Sequence, residues 1–504
     1  MLDHARGAAG VSTTPEKVST GVVGLDAVLG GGLPAQRLHL IEGAPGTGKT
    51  TLAIQFLMEG VRQGEAVLYV ALSETVDELN AVARSHGWAL EGIHFHQLAP
   101  SEESLSPESQ YTILQPAEIE LGERTWSVLE EFDRIKPTRL VIDSLAELAL
   151  LAHDPLRYRR QILGLKQFFA GRNCTVLLLD NVDRSTSGVE SIAHGVVQLE
   201  QLAPIYGSER RRLRVTKLRG ARYRGGYHDF AIETGGVHVF PRLIAAEHHI
   251  AFTAEEVSSG VPEFDGLLGG GLQRGTSALF VGPAGVGKSV LASRYAAAAA
   301  ERGECTAIYI FDEGTETFLR RSEGLQIRLR EHVEAKQVQL RQLDPAELSP
   351  GEFDHLVREA VEGTGARVVV LDSLNGYLNA MVEERAVLMQ LHELLSYLRQ
   401  AGILTLLTVA QHGLIGDRMQ APLDVSYLAD SVVLLRYFEA AGQLRRAISV
   451  VKKRSGAHEP TIRELQLGPS IHVGEPLREF SGVLTAAPVY LGNTTELLQR
   501  NEDD

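Results

Sequence analysis

Short, unbroken apolar runs alternate with stretches of helical periodicity along the chain. Arg37–Gly43, Ala66–Glu74, Arg139–Ser144 and Cys174–Asn181 read as buried strands. Lys49–Gly64 and Thr75–Gly87 read as helices, each stopping at a glycine. The rhythm returns in Ser277–Gly282, Cys305–Glu313, Arg367–Ser373 and Ile403–Gln411. Strands that are apolar on both faces need cover on both faces. The pattern therefore predicts an α/β fold, each half a mainly parallel sheet flanked by helices.

The return is a duplication. "VSTGVVGLDAVLGGGLPAQRLHLIEGAPGTGKTTLA" begins at Val18 and "VSSGVPEFDGLLGGGLQRGTSALFVGPAGVGKSVLA" at Val257, a gapless offset of 239 residues. Asp26 pairs with Asp265, and Gly30–Gly32 with Gly269–Gly271. A repeat of this length is a domain rather than a solenoid unit. Domains are expected at residues 1–245 and 246–504, with "ELLQRNEDD" (Glu496–Asp504) as a frayed polar tail.

Each copy carries the pattern G-x-x-x-x-G-K-[ST], "GAPGTGKT" and "GPAGVGKS". Glycines let the backbone wrap so that N–H groups face phosphate oxygens, at a helix start whose dipole favours anions. The candidate nucleotide-binding residues are Gly43, Gly46, Thr47, Gly48, Lys49, Thr50 and Thr51 in the first half. In the second they are Gly282, Ala284, Gly285, Val286, Gly287, Lys288, Ser289 and Val290. Lys49 and Lys288 would reach the β and γ phosphates, and Thr50 and Ser289 would ligate Mg²⁺.

An acid ending another buried strand completes such a metal site: Asp143 in "RLVIDS" and Asp372 in "RVVVLDS". The competing reading is an aspartate that caps the following helix. A base or polariser for water is offered by Glu74 in "LSET" and by Asp312 with Glu313 in "FDEG". Ser85 and Trp88, in "ARSHGW", could line a pocket, with packing the plainer role for Trp88. Asn181 and Gln411 end the following strands, where a γ phosphate could be sensed.

Composition narrows the class. With 44% hydrophobic and 22% charged residues the chain reads as an ordinary globular protein. No apolar run is long enough for a membrane span, and the first residues lack an export core. Two cysteines, Cys174 and Cys305, fit a reducing cytoplasm better than a disulfide framework. A net charge of −15 and the absence of an evident basic-aromatic stripe argue against a nucleic-acid partner.

Together these motifs resemble the KaiC branch of the RecA-like ATPases. The carriers are "STGVVGLDAVLGGGLPAQ", both phosphate loops, "YVALSET", "ARSHGW", "LVIDS", "VTKLRG" and "DSVVLLRYFEAAGQLRRAISVVKKRSGAHEPTIREL". The resemblance implies two tandem RecA-like P-loop domains in a homo-hexamer, with ATP and Mg²⁺ held between neighbouring subunits. It gives Lys217 and Arg219 in the first half, and Lys452, Lys453 and Arg454 in the second, the part of cations reaching a neighbour's nucleotide. Leu218 would lie beside the base or ribose through its backbone. Where the family has paired glutamates, the first acting as base, this chain has Ser73–Glu74 and Asp312–Glu313. At the serine and threonine that the clock members phosphorylate, it has Ser426 and Tyr427.

Three functions follow as expectations. The first is a ring ATPase, with serine autokinase and autophosphatase activity at Ser426, acting with protein partners in signalling or timing. The second is a nucleotide-gated scaffold with little catalysis. The third is a recombinase or helicase, which the acidic charge disfavours.

Overall fold

The computed structural model describes residues 16–98, 116–152, 154–181, 188–204, 206–379, 384–411, 426–440, 442–483 and 489–491. The closing "ELLQRNEDD" lies outside them. The chain divides into two compact units, Met1–Arg242 and Leu243–Asp504, beside the division expected at residues 245 and 246. Leu243 and Ala245 are buried in the second unit's core, and the Ala245 amide donates to Glu393 Oε1 at 2.9 Å.

The first unit is built on nine strands: β1 (Leu38–Gly43), β2 (Val67–Ala71), β3 (Ile93–Gln97), β4 (Arg139–Asp143), β5 (Thr175–Asp180), β6 (Gly195–Leu202), β7 (Arg210–Leu218), β8 (His228–Glu233) and β9 (Gly236–Phe240). Their order in the sheet is β9-β8-β7-β6-β1-β5-β4-β2-β3. From β6 to β3 every pairing is parallel. The strands β6 to β9 pair antiparallel. The mainly parallel sheet is as the sequence predicts. The antiparallel extension is an addition, because β7 is rich in arginine and does not read as a buried strand.

Helix α1 (Lys49–Arg62) follows β1 and lies on one face of the sheet, within the core of Leu52, Phe56, Val141 and Leu177. Helix α2 (Val76–Ser85) is held at its start by a reciprocal capping box between Thr75 and Glu78, which satisfies amides the helix itself leaves free. Helices α3 (Pro116–Ile135) and α4 (Pro155–Phe169) cover the other face, packing Phe132, Ile162 and Phe169 on Leu140 and Leu178.

The second unit repeats this with β10 (Ser277–Gly282), β11 (Cys305–Ile310), β12 (Val338–Gln342), β13 (Ala366–Asp372), β14 (Leu404–Ala410), β15 (Ser431–Ala440), β16 (Gln443–Lys453), β17 (Ile462–Leu467) and β18 (Ile471–Pro476). The order is β12-β11-β13-β14-β10-β15-β16-β17-β18. Helices α5 (Lys288–Glu301) and α6 (Thr315–Gly324) share one face, and α7 (Glu384–Gln400) packs on the other.

One buried cation ties the first sheet to the chain's opening segment. The Arg139 guanidinium is fully enclosed, donates to the Ser19 and Phe56 carbonyls at 2.8 and 2.9 Å, and pairs with Glu65 at 2.7 Å. Its Cζ lies 4.8 Å from the Phe56 ring centroid. Replacing it by Met takes a donor from each of two carbonyls and the guanidinium from a half-buried carboxylate. Arg139→Met is expected to lower the unfolding free energy of the first unit by about 2–3 kcal/mol. Urea unfolding followed by fluorescence checks this, and an unchanged midpoint would refute it.

Candidate nucleotide site

In both sheets the chemistry-bearing residues gather at the carboxyl ends of the parallel strands, where open α/β sheets bind ligands. The phosphate loop leaves the central strand, β1 or β10, and runs directly into α1 or α5. The last loop residue is glycine for two reasons. Gly48 and Gly287 have φ of 92° and 114°, in the left-handed region. A Cβ there would also meet Ile232 Cδ1 at 2.6 Å or Leu467 Cδ1 at 2.5 Å. The antiparallel extension thus backs the loop so closely that only glycine fits.

Each loop lysine folds back over its own loop. Lys49 Nζ donates to the Gly43 and Ala44 carbonyls at 2.7 and 3.0 Å, and to Asn181 Oδ1 at 3.1 Å. Lys288 Nζ donates to the Gly282 and Pro283 carbonyls at 2.9 and 2.7 Å. Burial pushes both amines down, Lys288 to about 8, with Asp372 partly offsetting this. Thr47 closes the first loop by donating to the Ala44 carbonyl, while Val286 at the matching place is buried in the core. Thr51 and Val290 are buried next to the metal-ligand positions.

The predicted metal-ligand pairs are in contact. Thr50 Oγ1 donates to Asp143 Oδ2 at 2.9 Å, and Ser289 Oγ to Asp372 Oδ1 at 2.9 Å. Neither aspartate caps its following helix in these contacts; each faces the loop. In both units the peptide after the aspartate is cis. The aspartates have supporting donors that periodicity alone does not reveal. Tyr69, from β2, donates to Asp143 at 2.5 Å. Thr408, from β14, donates to Asp372.

Glu74 faces the same centre. Burial, then Asp143 and Glu78, push its carboxyl up to about 7 against the pull of Lys49. Its Oε2 is buried and has no hydrogen-bond partner among the described residues. In the second unit burial also raises Glu313, but Arg321 works against it through a 2.8 Å ion pair. Asp312 is solvent-exposed and accepts from Ser373. Asn181 reaches the first loop by accepting from Lys49, while Gln411 meets the second only through its backbone N–H, which donates to the Gly282 carbonyl at 3.1 Å.

An ion bridging Thr50 with Asp143, or Ser289 with Asp372, would meet hard oxygen donors suited to Mg²⁺. The loop tips at Ala44–Gly46 and at Ala284–Gly285 are exposed to an incoming ligand. The residues present therefore fit Mg²⁺ and a nucleotide.

Other sequence candidates fall elsewhere. Ser85 donates to the Val82 carbonyl within its own helix. Trp88 stacks on His86 at 4.7 Å and packs on the core, as the plainer reading has it. Lys217, Leu218 and Arg219 lie at the opposite end of the sheet from the first loop. Leu218 registers with Gly195, and Gly195 with His39, four residues before Gly43 on β1. That is about 13 Å of strand. Lys217 Nζ instead donates to the Glu190 and Ser191 carbonyls.

Lys452 holds the matching place in the second unit, registering with Val432 and through it with Leu279. Its Nζ donates to the Ser426 and Ala429 carbonyls at 2.9 and 2.8 Å, and Arg454 donates to the Tyr427 carbonyl at 3.2 Å. Lys453, one residue on, points inward and is buried against the Leu268 carbonyl. Ser426 and Tyr427 are exposed, and burial begins at Leu428.

A basic-aromatic cluster does exist, on the first unit's antiparallel extension. Arg212 and Arg214 lie over the Tyr227 ring at 4.0 and 5.2 Å. Glu200 pairs with Arg212 and Glu209 with Arg211, so much of its charge is already balanced.

The family described as "ATPase: KaiC" matches the chain twice, over residues 18–244 and 257–476. The chain is 26% identical to the "Circadian clock protein KaiC3" of Synechocystis sp., over 94% of this chain and 95% of that protein. It is 27% identical to the "Circadian clock oscillator protein KaiC" of Synechococcus elongatus, over 94% and 92% of the two chains. The protein of that name from Parathermosynechococcus lividus is 28% identical, over 94% and 88%.

The depressed Lys288 amine gives a pH dependence. Phosphate favours the ammonium form, so above pH about 8 the empty loop must take up a proton to bind, and affinity falls. In a chain carrying Lys49→Ala, ATP affinity is expected to weaken by up to about tenfold per pH unit above that point. Titration with a fluorescent ATP analogue at pH 7, 8 and 9 tests this, and a flat affinity contradicts it.

Proposed function

The chain belongs to the KaiC family of ATPases, and on that footing we propose that it binds Mg-ATP at both loops and hydrolyses it in a homo-hexameric ring. The observation that carries this is the fourfold convergence repeated in each unit: loop lysine, hydroxyl, strand-end aspartate and strand-end glutamate. Bound Mg²⁺ would supply charge neutralisation at the β and γ phosphates. Lys49 and Lys288 would exchange their loop carbonyls for phosphate oxygens. Thr50 with Asp143, and Ser289 with Asp372, would hold the ion and its waters. Glu74 and Glu313 would accept the proton of the attacking water.

Reach supports a trans role for Lys217 and Arg219, and for Lys452 and Arg454. Each pair sits at the amino end of the sheet, remote from its own loop. A neighbouring copy stacked head to tail would bring that end to the next subunit's phosphates, where cations stabilise the transferred group. ATP would then sit between subunits. Its dependence on assembly suits a protein that reports states to signalling partners in the cytoplasm.

A second reading adds phosphoryl transfer to Ser426. The exposed Ser426 lies on the segment that Lys452 and Arg454 grip through the carbonyls of Ser426, Tyr427 and Ala429. The cations proposed to serve a neighbour's phosphates therefore carry this hydroxyl with them.

Phosphate release and intact mass, followed on one sample with Mg-ATP over a day, test both readings. Glu74→Gln and Glu313→Gln are each expected to remove the release of their own half, by about a hundredfold at that site. The release that survives in Glu313→Gln should climb with pH through about 7, as Glu74 ionises. A gain of one phosphoryl mass, lost in Ser426→Ala, supports the autokinase. An unchanged mass with release leaves a ring ATPase. Assembly on ATP without release favours a scaffold.

A further inference from the structure

Glu74 and Glu313 occupy matching places in the duplication, but of the two only Glu313 is held in an ion pair with a guanidinium among the described residues. Glu313 Oε2 lies 2.8 Å from Arg321 Nη1. Arg321 stands on α6 and is propped against Phe318, with its Cζ 5.0 Å from the ring centroid. The matching residue on α2 is Val82, which is partly buried against the core. The charged groups that act on Glu74 are Asp143, Glu78 and the loop lysine, with no guanidinium among them.

We propose that Arg321 is a positioning residue that restrains hydrolysis at the second site by holding the Glu313 carboxylate in an ion pair, so that the first site turns over faster. This rests on the reading of both units as ATPases with Glu74 and Glu313 as bases.

The step at stake balances simply. The water oxygen bonds to the γ phosphorus, the bond from that phosphorus to the β–γ bridging oxygen breaks, and ADP leaves with that electron pair. The water proton passes to the glutamate. A carboxylate that accepts a charge-assisted hydrogen bond from a guanidinium loses part of that bond as it takes up a proton. It is therefore a weaker base, and a general base contributes less as its proton affinity drops. The ion pair also directs Oε2 at Arg321 rather than at water. Glu74 has neither constraint, and its Oε2 is buried and unpartnered among the described residues.

The restraint is moderate. The Arg321 and Glu313 side chains are 35% and 24% exposed, so water reaches the pair and weakens it. Asp312 cannot take over the role unaltered, since it already accepts from Ser373.

The test uses the full chain with Glu74→Gln, which silences hydrolysis in the first unit and spares its loop. Adding Arg321→Ala is expected to raise kcat for phosphate release about three- to tenfold, with KM for ATP moving less than about twofold. Arg321→Lys, which keeps a cation beside Glu313, should stay near the parent rate. The reciprocal transplant, Val82→Arg in a chain carrying Glu313→Gln, should lower release from the first unit by about threefold or more.

A kcat that falls or stays level in Arg321→Ala overturns the restraint. So does a rise that Arg321→Lys reproduces in full, because loss of shape rather than of charge would then be the cause. If the Glu74→Gln chain releases no phosphate with or without Arg321 while the unaltered chain does, the restraint is again refuted and hydrolysis in the first unit stands. If the unaltered chain releases none, the ATPase reading itself falls, and the restraint with it.

Discussion

An ammonium group held almost out of water, at the end of the central strand of each sheet, is the constraint on which the other features depend. Lys49 and Lys288 are nearly buried, and burial disfavours their charge. The loop answers by turning its own carbonyls inward. That turn requires left-handed glycines at its close, and those glycines let the antiparallel extension pack against the loop's back. The strand-end aspartates face the lysines and offset the remaining cost. A phosphate chain entering this cradle would relieve the ammonium of poor partners and give it better ones.

The two units meet the constraint with different residues. The strand-end aspartate takes a donor from Tyr69 in the first unit and from Thr408 in the second, on different neighbouring strands. The first loop lysine has a side-chain partner in Asn181, whereas the hydrogen bonds of Lys288 described above all go to backbone. Even the structural arginines differ. Glu65 is met by Arg139, while Glu304, its counterpart in the repeat, is met by Arg274. Duplication preserved the backbone cradle and left the side chains around it free to diverge, so equal loops need not mean equal rates.

Most of the cradle was legible in the chain, because its parts are local. A strand, a glycine loop and a helix follow one another without interruption, and the strand-end acids announce themselves by ending apolar runs. The strands expected at Ser277–Gly282 and Arg139–Ser144 form almost to the residue. Supporting contacts were not legible. Tyr69 reads as one more apolar strand residue, and Arg321 as one more charge on an exposed helix. Their roles arise from which strands and turns become neighbours. The antiparallel extension was hidden for another reason: its strand β7 alternates arginine with Leu213 and Val215, and charge masked the period of two. Lys453 shows the limit of carrying a motif residue by residue, since strand alternation turns it inward between Lys452 and Arg454.

The separation of about 13 Å along β1 between the loop and the cations at Lys217 and Arg219 has a genetic consequence. If each chain lends its cations to the next, a copy with a damaged Arg219 keeps its own loop intact and spoils its neighbour's. A copy with a damaged Lys49 does the reverse. Two such defective copies, placed in the right order, share one complete site between them. In a cell expressing both, the two alleles would complement each other in part, and either one expressed beside the normal chain would be partly dominant.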